Sequence, residues 1–287
     1  MRHLYDARAA SAPSVPPRTS REDPIDRVLI ELVQPSDYVK WEYFSRQRLL
    51  ATGIVGSRRA LRMRVLDIGC GNGALSLTLS GGAGFDVVAM DVVEARVSLV
   101  RAKNASRKSA AATRLRIVRA NAESLPFRDG CFDVVAATEV LEHLGQPARM
   151  LSEASRVLRP AGQFFMTTPN AQALPYRILR FLPDVAVSKL AASLTQQTLH
   201  PDLLHDHPAW GAASHPDRHR REGFTLRELE ILGARAGLRM GVGYTYRIPL
   251  PDRVMQMTPK VLSRPLANLG TRPLPLGLQL YAEFTKT

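Results

Sequence analysis

Three glycines at alternate positions carry the first chemical signal in the sequence. The apolar run from Met63 to Ile68 is followed by Gly69, Gly71 and Gly73, and the chain continues as Ala74-Leu75-Ser76-Leu77-Thr78-Leu79. This pattern predicts a buried strand, a tight turn and a helix, which is half of a βαβ unit. Glycine accepts positive φ and lets a ligand approach the backbone, while the N–H groups of the following helix point at that ligand. The loop predicts a small polar ligand, with a purely structural turn as the alternative.

An acidic residue beside the loop narrows the choice of ligand. Dinucleotide-binding folds use G-x-G-x-x-G, in which the extra residue helps to form the binding site for pyrophosphate. This chain has the shorter G-x-G-x-G, preceded by Asp67. A carboxylate at this place repels a phosphate and attracts a cation. S-adenosylmethionine (SAM) carries a charged amino group and no phosphate, so the loop favours SAM.

A second carboxylate supports this interpretation. Asp91 ends the apolar run that begins at Phe85, and it lies 22 residues after Gly69, close to the roughly 20 residues expected for an acid that binds ribose hydroxyls. A simple helix N-cap is the alternative for an acid at a strand end. Loop, strand and spacing together predict that Asp91 accepts hydrogen bonds from the ribose.

The other apolar runs alternate with helical patterns and predict a Rossmann-like α/β fold with a doubly wound, seven-stranded sheet. In such sheets ligands bind outside the carboxyl ends of the strands. Strands are predicted at Leu115–Asn121, Cys131–Ala137, Gln163–Pro169, Leu238–Leu250 and Leu280–Thr285, and helices at Glu94–Lys108, at Pro147–Leu158 and from Thr225, as N-cap with Glu228 in the capping-box position, to about Ala236.

These segments resemble the class I SAM-dependent methyltransferases, in the branch of type 11 methyltransferase domains. The resemblance is close over residues 61 to 170 and loose elsewhere. Its Glu-x-x-Glu-His segment is similar to the ubiquinone-type O-methyltransferases. The matching residues are Leu66-Asp67-Ile68-Gly69-Cys70-Gly71-Asn72-Gly73, Asp91, Ala120-Asn121-Ala122-Glu123-Ser124-Leu125-Pro126-Phe127, Phe132-Asp133-Val134-Val135, Glu139, Glu142-His143 and Thr168-Pro169-Asn170.

The resemblance implies how the glycine loop holds the cofactor. Gly69 and Gly71, with Gly73 completing the turn, are expected to contact the methionine part of SAM. Asp67 is expected to interact near the amino group of that part, in agreement with the charge argument. Asp91 takes the ribose.

The resemblance also implies an adenine site after the third strand. The residue that matches Asn121 is commonly Asp in this family and accepts the adenine amino proton, and the next backbone N–H, here that of Ala122, meets the ring. Asn121 departs from the pattern but keeps an acceptor oxygen. Glu139 is expected to line the cofactor pocket.

The end of the fourth strand supplies the expected catalytic groups. Methyl transfer from a sulfonium is an in-line displacement, in which the protein aligns nucleophile, methyl group and sulfur and removes a proton as the bond forms. His143 should face the methyl group, and a free imidazole has a pKa of about 6.5, so His143 is the predicted base, with Glu142 beside it.

The same residues permit a metal site. Glu139, Glu142 and His143, completed by His219 or His215, would offer ligands for Mg²⁺ or another divalent cation that lowers the pKa of a substrate hydroxyl. Small-RNA terminal 2′-O-methyltransferases, to which this set is similar, bind a metal in this way. Glu-His at this place also occurs in metal-independent relatives, so both interpretations stay open.

The chain is divided into five parts by its composition and patterns. Residues 1–23 are predicted to be a disordered tail, since prolines stand among Ser, Ala and Arg without an apolar face. Residues 24–60 form a helical lid, 61–170 the SAM-binding core, 171–218 a helical cap insertion, and 219–287 complete the core with a helical insertion at 251–277.

Charge and composition bear on the partners. Lys and Arg total 39 against 26 Asp and Glu, a net charge of +13, which suits an anionic partner, but the excess is spread along the chain, so nucleic acid is the less favoured partner. Two cysteines make no disulfide framework, and no apolar run has the length of a membrane span. A cytoplasmic protein is expected, with peripheral membrane contact through the cap as an option and the oligomeric state open.

Three functions follow from these features. The first is O-methylation of a small, partly apolar, hydroxylated metabolite. The second is RNA 2′-O-methylation, which the net charge and the Glu-x-x-Glu-His set with His219 would serve. The third is SAM binding without catalysis.

Overall fold

The computed structural model describes residues 37–57, 59–82, 84–107, 114–174, 223–249, 255 and 257–287. The helices are α1 (Asp37–Gly56), α2 (Ala74–Gly81), α3 (Glu94–Ala105), α4 (Pro147–Val157), α5 (Leu226–Arg235) and α6 (Lys260–Leu269), and a short 3₁₀ helix spans Leu141–His143. The strands are β1 (Met63–Ile68), β2 (Phe85–Asp91), β3 (Leu115–Arg119), β4 (Phe132–Thr138), β5 (Leu158–Pro169), β6 (Leu238–Tyr246) and β7 (Gln279–Lys286).

The seven strands form one sheet in the order β3-β2-β1-β4-β5-β7-β6. Strands β1 to β5 pair in parallel, and β7 runs antiparallel between β5 and β6. The predicted seven-stranded α/β sheet is confirmed. Because the five parallel strands end at the same edge, the segments after Ile68, Asp91, Arg119 and Thr138 come together there.

Buried apolar side chains cover both faces of the sheet, as the nearly continuous apolar runs of the parallel strands require. Leu66, Val88 and Phe164 pack on the face covered by α4 and α5. Leu50 and Ile54 of α1 pack on the opposite face with Phe165 and other residues. Since side chains alternate along a strand, neighbouring residues such as Phe164 and Phe165 belong to different faces.

The capping box at the start of α5 is present as predicted. Thr225 accepts a hydrogen bond from the Glu228 amide at 3.1 Å, and the Glu228 carboxylate accepts one from the Thr225 amide at 2.8 Å. Two amide groups that the first helical turn leaves without helical partners are thereby satisfied.

Two predicted boundaries are wrong. Pro160 and Gly162 favour a turn before the strand predicted from Gln163, but these residues lie inside β5, which begins at Leu158, where it pairs with Phe132. The irregularity appears as a register shift before Val134 and a positive φ of 58° at Ala161. Strand β6 ends at Tyr246 and not at Leu250, because Arg247 has φ of 68° and leaves the sheet.

Several predicted segments fall outside the described residues. These are the tail 1–23, residues 24–36 of the lid, nearly all of the cap insertion, and 251–254 of the second insertion. Within the described ranges, no helix is long and apolar enough to cross a membrane.

Candidate functional site

The glycine turn lies between β1 and α2 with left-handed backbone at all three glycines. Gly69 has φ of 67°, and a Cβ there would collide with the side chain of Val140, so two features require glycine. Gly71 has φ of 53°, and a Cβ built on it would meet nothing within 4 Å. The turn is therefore crowded at Gly69 and open at Gly71.

Asp67 lies beneath this turn. Its carboxylate is buried and accepts a hydrogen bond from the Ser76 hydroxyl at 2.5 Å, and the Ser76 backbone amide bonds to it as well. Burial raises its pKa to about 7, and the neighbouring Asp91 adds to the rise while Ser76 opposes it. One amide at the start of α2 therefore points at Asp67 and not at the ligand side of the loop, which differs from the sequence expectation for these amides.

Asp91 ties the second strand to the glycine turn. Its two carboxylate oxygens accept hydrogen bonds from the Gly71 amide at 3.0 Å and from the Val93 amide at 2.9 Å, and Arg96 lies 4.0 Å away. The side chain is buried at the strand end, beside the cavity described next. Asp91 thus fixes both the glycine turn and the residues that lead into α3. It also lines the cavity at the predicted ribose site.

A cavity of about 290 Å³ opens at the carboxyl edge of β1, β2 and β4. This volume is near the lower end of the roughly 300–1,000 Å³ of ligand sites. Six of the residues that line it are predicted site residues, namely Gly69, Asp91, Asn121, Ala122, Glu139 and His143. The cavity therefore brings together the groups predicted for methionine, ribose, adenine and catalysis, whereas Asp67, Gly71, Gly73 and Glu142 are not among its lining residues.

The turn after β3 is held by Asn121 itself. Its side-chain oxygen accepts a hydrogen bond from the Glu123 amide at 2.9 Å, and its backbone oxygen accepts one from Ser124 at 3.1 Å. Since a carbonyl oxygen has two lone pairs, one remains for an adenine amino group. Ala122 is buried beside it and lines the cavity.

Helix α1 contacts both ends of the site. The Tyr43 hydroxyl donates to the side-chain oxygen of Asn72 in the glycine turn at 2.6 Å. One turn later, Arg46 lies over the Tyr43 ring at 5.8 Å and forms an ion pair with Glu139 at 3.4 Å. Both charged side chains are largely buried, with 14% and 19% of their surfaces exposed. Screening by water is weak at such exposure, so this pair is held more firmly than a surface pair.

Glu139 is the first residue after β4 and has a strained backbone. Its φ of 52° lies in the left-handed region, which costs a residue other than glycine about 1–3 kcal/mol. Its amide donates to the Thr167 carbonyl at 3.0 Å, which fixes the turn. Strain of this kind is found at functional sites, where the surrounding structure holds the residue in place.

Glu142 and His143 follow in the short 3₁₀ helix. Glu142 is fully buried and accepts a hydrogen bond from the Thr168 hydroxyl at 3.0 Å. Burial, with the nearby Glu139 charge, holds its pKa well above the usual value, which favours the neutral acid. His143 is partly exposed at the cavity, and its Nε2 lies 4.0 Å from Glu142 Oε1, beyond hydrogen-bond distance.

The predicted metal site stays a prediction. In the described part of the chain, no three His, Cys, Asp or Glu side chains form a group that could hold a metal ion. Glu139 is paired with Arg46, and His219 and His215 lie outside the described ranges. The described residues alone do not fit a metal, and no chemical step is assigned to one.

Sequence reasoning missed Arg46 and Thr168. Arg46 belongs to the segment predicted as a helical lid, and nothing in the local pattern singles out one arginine among many. The sequence marks Thr168 only as part of a strand end. Both act through partners that are distant in sequence, so only the fold reveals them.

The chain matches known proteins in this same region. The family model described as "Methyltransferase domain" matches residues 66–166, which contain the glycine turn, Asp91, Asn121 and His143. Residues 66–166 therefore form a class I SAM-dependent methyltransferase domain.

Two curated relatives illustrate the likeness. The ubiquinone biosynthesis O-methyltransferase of Pseudomonas aeruginosa is 35% identical over 113 residues, which cover 39% of this chain and 47% of that protein. The 27-O-demethylrifamycin SV methyltransferase of Amycolatopsis mediterranei is 29% identical over 187 residues, which cover 60% of this chain and 66% of that protein. The chain thus spans about half the length of the first relative and less than two thirds of the second.

Solved structures share the fold. A SAM-dependent methyltransferase from Aquifex aeolicus superposes with a TM-score of 0.51 at 15% identity, covering 91% of this chain and 98% of that one. The cyclase SpnF gives a TM-score of 0.54 at 16% identity, covering 84% of this chain and 80% of that one. Because the second protein is named for a different reaction, this likeness establishes the fold and leaves the acceptor to the site.

Proposed function

The chain belongs to the class I SAM-dependent methyltransferases through residues 66–166, and on this premise we propose that it O-methylates a small, partly apolar, hydroxylated metabolite. One observation carries the proposal: Gly69, Asp91, Asn121 and His143 line a single cavity at the carboxyl edge of the sheet. The two relatives, both named as methyltransferases that act on oxygen of small molecules, support the choice of acceptor.

We assign one group at the cavity to each part of the cofactor. Asp91 is proposed to accept hydrogen bonds from the ribose hydroxyls, and the Asn121 oxygen is proposed to accept one from the adenine amino group, since both residues line the cavity. The glycine turn is left for the methionine part. When bound, SAM supplies the electrophilic methyl group, and the rest of the catalysis is positioning and removal of a proton.

His143 is the proposed base. It lines the cavity at the end of β4, and its side chain is 18% exposed, so the imidazole can receive a proton from an acceptor hydroxyl and pass it to water. Glu142 lies behind it and is proposed to position the imidazole as a neutral acid held by Thr168.

Arg46 is proposed to hold the methionine carboxylate. That carboxylate needs a cation near the glycine turn, and Arg46 lies over Tyr43, which is itself bonded to Asn72 of the turn. Its present partner is Glu139, so cofactor binding would exchange one carboxylate for another.

We expect Arg46→Gln to weaken SAM binding about tenfold, because one charge-assisted hydrogen bond is lost. Isothermal titration with SAM measures the change. Arg48→Gln is the matched control on the same helix, since Arg48 bonds to Asn268 on α6 and is exposed. Equal affinities of the Arg46 variant and the wild type would refute the role.

SAM affinity should rise roughly tenfold between pH 6 and pH 8 through Asp67. Its pKa near 7 means that it is mostly neutral at pH 6 and mostly ionised at pH 8, and only the ionised form attracts the ammonium group of SAM. The stability of the unliganded protein changes with pH in the opposite direction to SAM affinity. Since the folded-state pKa lies above the unfolded value, the unliganded protein loses stability as the pH rises from about 4 to 7.

Titrations of SAM at several pH values test this expectation, and Asp67→Asn should remove the pH dependence. A wild-type affinity that stays constant from pH 6 to pH 8 would show that Asp67 does not act on the ammonium group.

Transfer of a labelled methyl group tests the proposed activity. The protein and labelled SAM are incubated with cell extract divided into lipid, RNA and small polar pools, each with and without magnesium. Label in the lipid pool or in the small polar pool is the expected result. Label in RNA only would replace the proposal with RNA methylation, and a requirement for magnesium would restore the metal site.

A further inference from the structure

Four buried oxygen atoms near the ends of β4 and β5 have no hydrogen-bond partner among the described residues. They are Thr138 Oγ1, Glu139 Oε1, Thr167 Oγ1 and Gln279 Oε1, which we call the orphan oxygens. Thr167 and Gln279 are only 1% and 5% exposed. A buried polar atom without a partner costs about 1–3 kcal/mol, so four in one region are not a neutral feature of packing.

The sheet register places these residues on one face at one edge. Thr138 at the end of β4 lies opposite Thr167 of β5, and Gln279 at the start of β7 lies opposite Pro169, two residues beyond Thr167. Residues that pair across strands share a face, and residues two apart along a strand do so as well. The Glu139 amide donates to the Thr167 carbonyl, which brings Glu139 next to the pair of threonines.

Helix α1 covers this same face. Gly53 is so close to the sheet that a Cβ on it would lie 2.5 Å from the Tyr281 hydroxyl and 3.1 Å from the Phe165 ring. Phe165 and Tyr281 are neighbours of Thr167 on this face, since Phe165 lies two residues before it and Tyr281 pairs with it, so α1 covers the part of the sheet beside the threonines. Gln47, on the inward side of α1 six residues earlier, contributes a fifth buried oxygen without a partner among the described residues.

The neighbouring threonine provides the contrast. Thr168 is as buried as Thr167, but it points to the opposite face and donates to Glu142 at 3.0 Å. The two adjacent threonines of β5 are equally buried but differ in hydrogen bonding. The Thr168 hydroxyl is bonded to Glu142, and the Thr167 hydroxyl has no partner in the described ranges.

We propose that the orphan oxygens recognise the polar part of the methyl acceptor, and that this acceptor carries at least two hydroxyl donors. The inference rests on the proposed function. Glu139 and Gln279 present oxygens that only accept, and a threonine hydroxyl can donate or accept, so the complementary ligand must donate at more than one point. Glu139 is the member of this group that lines the cavity, together with His143, and Thr138 precedes it and pairs with Thr167, so the group adjoins the cavity through Glu139. Thr167 and Gln279 select the acceptor and do not take part in the proton transfer.

Thermal melts of two variants of the protein, without any ligand, test whether the Thr167 hydroxyl has a hydrogen-bond partner. Thr167→Val replaces a hydroxyl with a methyl group of the same shape. We expect its Tm to equal or exceed that of the wild type, because no hydrogen bond is lost and a buried polar group is removed. Thr168→Val is the matched control and should lower Tm by several degrees, because the buried Glu142 carboxyl loses the hydrogen bond from the Thr168 hydroxyl.

Ligand-observed NMR tests the recognition. Resorcinol carries two hydroxyl donors on a ring, 1,3-dimethoxybenzene has the same shape without donors, and propane-1,3-diol has the donors without the ring. We expect wild-type protein saturated with S-adenosylhomocysteine to bind resorcinol in preference to the dimethyl ether. Thr167→Val and Gln279→Met should each weaken resorcinol binding about tenfold and leave S-adenosylhomocysteine affinity unchanged. Binding of propane-1,3-diol in addition would identify the hydroxyls as the recognised group.

Three results would overturn the proposal. A lower Tm for Thr167→Val, comparable to that of Thr168→Val, would mean that the oxygen has a structural partner. Equal binding of resorcinol to wild type and variants, or binding to neither, would mean that no acceptor is recognised here. Failure of S-adenosylhomocysteine to bind wild-type protein would instead refute the proposed function, which keeps the two failures distinct.

Discussion

Replacement of Asp91 by alanine is expected to weaken SAM binding by at least about 100-fold. The carboxylate is proposed to accept two hydrogen bonds from the ribose, and hydrogen bonds to a charged group contribute about 1.5–3 kcal/mol each. The loss has a second cause, because Asp91 also holds the Gly71 and Val93 amides at 3.0 and 2.9 Å. Without it, the glycine turn loses its link to β2. Isothermal titration with SAM and with S-adenosylhomocysteine measures the effect.

Two further variants separate the ribose role from the structural role. Asp91→Asn keeps one acceptor oxygen and the shape of the side chain, so its affinity should fall between those of wild type and Asp91→Ala. Asp86→Ala removes a carboxylate from the same strand whose partner is the exposed Arg62, and it should leave affinity unchanged. Wild-type affinity in Asp91→Ala would show that the ribose lies elsewhere.

Replacement of His143 by asparagine is expected to lower kcat for the methylated acceptor by roughly 10²–10⁴, the usual contribution of a positioned base. The effect should appear in kcat rather than in SAM affinity, because His143 acts on the proton of the acceptor. The measurement is steady-state methyl transfer over a range of pH. The variant should lose the acid limb of the wild-type profile, since that limb reports protonation of the base.

Glu142→Gln is the companion variant. Because the raised pKa of Glu142 favours the neutral acid, glutamine is likewise uncharged and keeps an oxygen that accepts the hydrogen bond from Thr168. We therefore expect Glu142→Gln to keep most of the activity that His143→Asn loses. A variant at His143 with wild-type kcat and an unchanged pH profile would exclude the imidazole as the base, and activity would then rest on positioning alone.

The sequence predicted the parts of the site that are encoded locally. The spacing from Gly69 to Asp91 is set by one strand, one turn and one helix, so it can be read without knowledge of the fold, and the capping box at Thr225 is an equally local signal. The alternation of helices and strands also predicted the seven-stranded sheet correctly.

The parts that the sequence did not predict depend on contacts between distant segments. The Arg46 to Glu139 ion pair joins α1 to the end of β4, and no local pattern marks either partner for the other. The difference between Thr167 and Thr168 depends on which face of β5 meets Glu142, which follows from the register with β4 and β7. The early start of β5 was missed because Pro160 and Gly162 indicated a turn, whereas pairing of Leu158 with Phe132 overrides that local preference.

Calorimetric titration of the wild-type protein with S-adenosylhomocysteine tests the central claim most directly, namely that the cavity between the glycine turn, Asp91 and the Asn121 turn holds an adenosyl cofactor. We predict saturable heat with one molecule bound per chain, and none with NAD or ATP under the same conditions. No heat with S-adenosylhomocysteine or SAM, together with binding of NAD or ATP, would contradict the account.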